Sequence, residues 1–350
     1  MGDDGVLEEA ARAAYATVAA QADEHVGVVA RVLRNARGVL PDAGTGEVLL
    51  DAAWGLADRR HALALTPRHR VAMASGCKVF TAAATLALVA DGTLDLTTTA
   101  RSLLGEDLPL VDDAVTVEQL LGHRAGVGEY LDDDADVSDY LMPVPVHALV
   151  DPEDYLPLLA GFEQAFAPGS RFAYSNSGYV LLSVLAQRAS GVPFHELVRA
   201  RVLEPAALTC TGYPRSDSLP GDAALGYVQV DGQWRTNVHH LPVVGGGDGG
   251  AYTTTADMER FWAALLGGRI VPDELVARMR TAAEPPEDDD AYGLGLWLRD
   301  DDAVGLEGAD TGVSFWSTHE PRTGLTWTVA GTTVDAAWPV ASALREALGA

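Results

Sequence analysis

The segment from Val71 to Leu96, VAMASGCKVFTAAATLALVADGTLDL, contains the only lysine of the 350-residue chain. Lys78 lies in a run of apolar and small residues, which predicts an alanine-rich helix from about residue 72 to Asp91-Gly92. An exposed lysine on an amphipathic helix is the alternative, and the apolar neighbours disfavour it. A buried ammonium needs a polar partner or a function. The helix is therefore expected to pack inside the molecule, with Lys78 facing a polar site.

Ser75 precedes Lys78 by three positions, and positions i and i+3 share one face of a helix. An amine shielded from water beside a serine can take the hydroxyl proton, whereas a guanidinium keeps its own. This difference explains a lone lysine in a chain whose Lys and Arg total is 24. The S-x-x-K spacing alone is weak, because chance places a serine there in roughly 4% of cases.

Regular patterns point to an α+β fold. Helical periodicity at the N-terminal end is followed by strand-like stretches, and further strand-like runs and a helix close the chain; these segments are 5–22, 25–33, 46–57, 292–298, 312–318, 325–332 and 335–349. We predict one lobe from residues 1–70 and 245–350, a mostly helical lobe from residues 71–244, and a site between them.

Charge and composition narrow the partners and the location. The formal net charge of −26 disfavours nucleic acid and anionic membrane surfaces. No apolar run is long enough to span a membrane, and the N-terminal residues carry no secretory signal, so a cytoplasmic location is expected. Cys77 and Cys210 suggest no disulfide framework, and Cys77 is read as a packing residue.

Three segments contain residue types that can bind a metal ion or a phosphate. The acidic cluster at 132–136 is expected to be a solvated loop, because metal ligands usually converge from spaced positions. GGGDGG at 245–250 lacks the Gly-Lys-Ser/Thr ending of a phosphate loop. His239 and His240, placed on a strand, would face opposite ways, and no metal-binding spacing supports them. We predict no metal and no cofactor.

The triplet Tyr174-Ser175-Asn176 leads into a second helical pattern. A tyrosine hydroxyl near an ammonium can act as a general base, and an asparagine amide can bind the lysine or a substrate amide. Taken alone, the triplet fits an ordinary N-cap turn equally well.

Four ordered blocks, residues 67–96, 115–127, 166–191 and 245–261, resemble the serine β-lactamase and penicillin-binding-protein superfamily, closest to its class C β-lactamase, D,D-peptidase and esterase branch. The resemblance covers residues 50–345. It implies an antiparallel sheet flanked by N- and C-terminal helices, plus an inserted helical lobe.

By this resemblance Ser75 is the nucleophile, Lys78 and Tyr174 share the acid–base work, and Asn176 contacts the lysine or the substrate. The third motif of the family, a basic residue followed by x-Gly, falls on Leu306-Glu307-Gly308. The backbone N–H groups of Ala309 and Ser75 would then form an oxyanion hole.

The departure at Leu306 removes the cation that helps this family bind a substrate carboxylate, and Glu307 would favour an amine over an anion. We therefore expect a serine hydrolase of the esterase or amidase type, acting through a Ser75 acyl-enzyme on a small neutral or cationic ester or amide. The alternatives are an acyltransferase and a binding relative without turnover, and a true β-lactamase or D,D-peptidase is less favoured. The oligomeric state stays open.

Overall fold

The structure is a computed structural model that describes residues 3–21, 26–41, 45–131, 142–282 and 291–349. Its helices are α1 (Asp3–Gln21), α2 (Lys78–Ala90), α3 (Ala100–Leu104), α4 (Val117–Leu121), α5 (Leu156–Leu159), α6 (Asn176–Ser190), α7 (Phe194–Val198), α8 (Thr255–Leu266), α9 (Asp273–Met279) and α10 (Ala337–Leu348). The acidic cluster predicted to be a loop, residues 132–136, lies outside the described residues.

The strands are β1 (Val28–Arg34), β2 (Glu47–Trp54), β3 (Leu56–Asp58), β4 (Leu63–Ala64), β5 (Val71–Ala72), β6 (Tyr227–Val230), β7 (Gln233–Thr236), β8 (Tyr252–Thr253), β9 (Ala291–Tyr292), β10 (Trp297–Leu298), β11 (Val304–Asp310), β12 (Val313–Glu320) and β13 (Leu325–Gly331). Seven of them form one antiparallel sheet in the order β2-β1-β13-β12-β11-β10-β9. Both ends of the chain build this sheet, which confirms the predicted α+β fold class.

Side chains of β1 alternate between the two faces of the sheet, as a strand requires. Val28, Ala30 and Val32 pack with α1 and α10 in one hydrophobic cluster. Val29 belongs to the larger cluster on the opposite face, which includes α2, α6 and α8. The sheet therefore separates the terminal helices from the part of the molecule that carries the site.

Helix α2 is buried over most of its length, from Lys78 to Leu88. It begins later than the predicted residue 72, because a 3-10 turn, Ala74–Cys77, precedes it and holds Ser75. In a 3-10 turn the side chains at i and i+3 eclipse each other, which brings a residue close to its third neighbour. Across the described ranges, no helix combines the length and the apolar character that a membrane span needs.

The run 292–298, predicted as one strand, consists of the two short strands β9 and β10 joined by a turn. Gly295 in this turn has φ 91°, in the left-handed region that glycine tolerates. A Cβ atom there would lie 2.4 Å from Cβ of Ala82 in α2. The strand prediction was wrong because the turn packs directly on α2.

Candidate active site

Ser75 lies in a constrained turn at the mouth of a cleft. Its neighbour Ala74 has φ 44°, an uncommon left-handed conformation for a residue with a side chain. On the other side, a Cβ on Gly76 would lie 2.6 Å from the ring of Phe315 on β12. The turn therefore packs closely against the sheet, while Ser75 remains partly exposed to the cleft.

Lys78 is 2% exposed and its Nζ has three hydrogen-bond partners. Nζ lies 2.9 Å from Ser75 Oγ, 2.7 Å from Asn176 Oδ1 and 2.7 Å from the carbonyl oxygen of Asp248. The amide oxygen and the carbonyl oxygen only accept hydrogen bonds, whereas the hydroxyl can donate or accept. A neutral amine here can keep both fixed bonds and turn its lone pair toward Ser75.

Tyr174 and Asn176 reach Lys78 from the start of α6. The Oγ of Ser175 caps this helix by accepting the N–H of Gly178 at 2.9 Å, which places Asn176 in the first turn. The ring centroid of Tyr174 lies 4.9 Å from Lys78 Nζ. The Tyr174 ring also stacks on Trp297, with 6.1 Å between centroids and 8° between planes. Segments that are distant in the sequence thus surround the amino group of Lys78.

His123 supports this arrangement from beneath. Its Nδ1 accepts the N–H of Ser175 at 3.0 Å, and its ring centroid is 4.4 Å from that of Tyr174. Burial lowers the pKa of His123 well below its usual value, so the imidazole is neutral and suited to accept this bond. His123 lies within the second of the four sequence blocks, residues 115–127, and that position was the available signal for it.

Strand β11 forms the opposite wall of the cleft. Strands β11 and β12 are joined by a two-residue loop, and Asp310 pairs with Val313 on either side of it. In such hairpins the residues that flank the loop exchange backbone hydrogen bonds. Ala309, one residue earlier, therefore directs its N–H away from β12 toward the cleft, where it lines the same cavity as Ser75. This geometry brings the two predicted oxyanion-hole residues to one site.

Leu306 and Glu307 lie in different surroundings, one in the core and the other at the cleft. Leu306 is 3% exposed and belongs to the hydrophobic core, so it supplies no charge to the cleft. Glu307 lines the cavity, but its carboxylate forms an ion pair with Arg299. The free negative charge that the sequence argument assigned to Glu307 is therefore compensated.

The cleft has a volume of about 320 Å³ and contains further polar groups to which the sequence assigned no part in the reaction. They are Tyr130, Tyr155, Ser216, His240 and Asp248. His240 does not lie on a strand as predicted, because it follows the 3-10 turn Asn237–His239. The glycine-rich segment and the histidine pair were the available signals for two of these groups. Of the tryptophans, Trp297 and Trp338 line the cleft and Trp262 lies in the core.

Cys77 lies beside Lys78 in sequence but is fully buried and unpaired. Burial raises the pKa of its thiol to about 11. The thiolate is the nucleophilic form of cysteine, so this residue is unsuited to catalysis and packs in the core. Within the described ranges, no cluster of three metal-ligating side chains is present.

Known proteins similar to this chain include a penicillin binding protein, an esterase and a D-aminopeptidase. The penicillin binding protein from Bacillus halodurans superposes with a TM-score of 0.83 at 32% identity, covering 95% of this chain and 99% of that one. Esterase EstB from Burkholderia gladioli is 32% identical over 54% of this chain and 47% of its own length. A D-aminopeptidase from Brucella anthropi is 25% identical over 77% and 50%. The chain spans about half of the length of these two curated relatives.

The fold and these relatives define the class: the chain has the fold of the β-lactamase-like superfamily. More specifically, the family model described as Beta-lactamase matches residues 20–347, and the chain belongs to this family. The resemblance inferred from the four sequence blocks is confirmed.

Proposed function

We propose that this chain hydrolyses small esters or amides through an acyl-enzyme on Ser75. The observation that carries the proposal is the set of three contacts made by Lys78 Nζ, two to pure acceptors and one to the Ser75 hydroxyl. Such an amine is oriented to exchange a proton with the nucleophile, because its other two partners only accept hydrogen bonds. Tyr174, whose ring lies beside the same Nζ, shares the proton transfers.

In the proposed reaction, Ser75 Oγ bonds to the substrate carbonyl carbon while its proton moves to the Lys78–Tyr174 pair. The N–H groups of Ser75 and Ala309 stabilise the oxyanion that forms. Collapse of this intermediate expels the alcohol or amine, which takes the proton. Water then attacks the acyl carbon and gives up a proton to the same pair. The bond between the acyl carbon and Ser75 Oγ breaks, Oγ takes that proton, and the acid leaves free Ser75.

The charges of the cleft support a neutral or cationic substrate. Among the described residues that line it, no lysine or arginine is present, while Asp248 and Asp310 are. The carboxylate of Glu307, which also lines the cleft, is already paired with Arg299. The buried Leu306 stands where a basic residue was expected. A substrate carboxylate would find no lining cation in these residues, which argues against a β-lactam or a peptidoglycan stem.

Hydrolysis of p-nitrophenyl acetate with increasing methanol tests the proposal and its alternatives. We expect multiple turnovers with acetate as the main product, and a loss of about 10³-fold or more in kcat/KM for Ser75→Ala. Methyl acetate as the main product at low methanol would instead indicate an acyltransferase. A single burst without further turnover would indicate a binding relative.

A further inference from the structure

The carboxylate of Asp248 is a buried negative charge in the cleft. Asp248 is 8% exposed, and its Oδ2 accepts the hydroxyl of Tyr130 at 2.6 Å. Its backbone carbonyl accepts a bond from Lys78, and no cation among the described residues forms an ion pair with the carboxylate. A buried carboxylate without an ion-pair partner is costly, and a ligand that brings a positive charge can supply the compensation.

A second polar group next to Asp248 also lacks a partner. Tyr155 is 1% exposed and lines the cleft, yet its hydroxyl has no hydrogen-bond partner within the described residues. A Cβ atom built on Gly246 would lie 3.3 Å from Asp248 Oδ1 and 3.4 Å from Tyr155 Oη. Both oxygens therefore lie beside Gly246 and close to each other. The rings of Tyr155 and Tyr130 meet edge to face, with centroids 6.3 Å apart.

A primary ammonium matches these groups. It carries one positive charge and three N–H donors, which suit a carboxylate oxygen, a hydroxyl oxygen and aromatic walls. An anion is excluded by the charge of Asp248, and a hard metal ion needs about six oxygen ligands. We propose that Asp248 and Tyr155 bind the ammonium group of the substrate; this inference rests on the proposed function of the same cleft.

The position relative to Ser75 indicates where that ammonium lies in the substrate. The carbonyl of Asp248 and the hydroxyl of Ser75 both contact Lys78 Nζ, at 2.7 and 2.9 Å. The following residue, Gly249, lies against the nucleophile turn, since its Cβ would be 3.9 Å from the Ala74 carbonyl oxygen. An amine at Asp248 is therefore near the scissile carbonyl, as in esters and amides of amino acids.

The test compares matched compounds with and without the amine. The kcat/KM for D- and L-phenylalanine methyl ester is compared with that for methyl 3-phenylpropanoate in the wild type. We expect the better amino ester to be favoured by about 10- to 100-fold, the range for a hydrogen bond to a charged group. Asp248→Asn should reduce this ratio about 10-fold or more, and Tyr155→Phe by a few-fold. Asp113→Asn removes the same charge at a site whose side chain is 82% exposed and should keep the ratio.

Calorimetric binding of phenylalaninol and 3-phenylpropan-1-ol to the same proteins gives a readout independent of catalysis. Tighter binding of the amine in the wild type, lost in Asp248→Asn, supports the subsite. Equal binding of the two alcohols, or an unchanged preference in Asp248→Asn, overturns it. Amine-selective binding without hydrolysis of any ester would support the subsite and contradict the proposed function instead.

Discussion

Replacing Lys78 by arginine is expected to lower kcat/KM for ester hydrolysis by about 10³-fold or more. Arginine keeps the positive charge and can still donate to Asn176 and Asp248. It cannot release a proton, however, so it cannot exchange one with Ser75. The measurement is steady-state hydrolysis of p-nitrophenyl acetate, with the folded state checked by circular dichroism.

Lys78→Met removes both the charge and the basicity of Lys78 but keeps a long side chain that fills the buried site. Both variants should fold and both should be inactive. Activity of Lys78→Arg within about 10-fold of the wild type would mean that Lys78 acts only through its charge, against the general acid–base role that typically contributes 10²–10⁴-fold.

Replacing Gly308 by alanine is expected to reduce both stability and activity. The added Cβ would lie 2.1 Å from the backbone oxygen of Met73 and 2.8 Å from the backbone nitrogen of Gly76. Backbone atoms cannot turn aside, so β11 and the Ser75 turn must separate. We expect a loss of about 1–3 kcal/mol in the free energy of unfolding, typical of overpacking. Because the two oxyanion donors move apart, a fall of about 10²-fold in kcat should follow.

Gly221→Ala is the matched control, since its Cβ meets nothing within 4 Å. It should change the unfolding free energy by less than about 0.5 kcal/mol. Equal effects of the two substitutions in urea denaturation would show that β11 does not press on the nucleophile turn.

The features predictable from sequence are those encoded in local patterns. The apolar run around Lys78 predicted its burial, and the side chain is 2% exposed. Alternating patterns at both chain ends predicted strands that form one sheet. In each case the signal lies within one local stretch of the sequence.

The features that could not be predicted depend on contacts between distant segments. Tyr130 bonds to Asp248 across 118 positions, and Lys78 bonds to the same residue across 170. No local pattern shows that Glu307 meets Arg299, so its charge was assigned to the cleft. The run 292–298 was read as one strand because its alternation hides a turn fixed by contact with α2. These are tertiary effects that override local preference.

The central claim is that Ser75 is the nucleophile that carries the acyl group. Incubation with a fluorophosphonate probe, followed by intact mass spectrometry and peptide mapping, tests it most directly. The account predicts one adduct per chain, located on Ser75, and none on Ser75→Ala. An unlabelled wild-type protein, or an adduct that persists in Ser75→Ala, would contradict it.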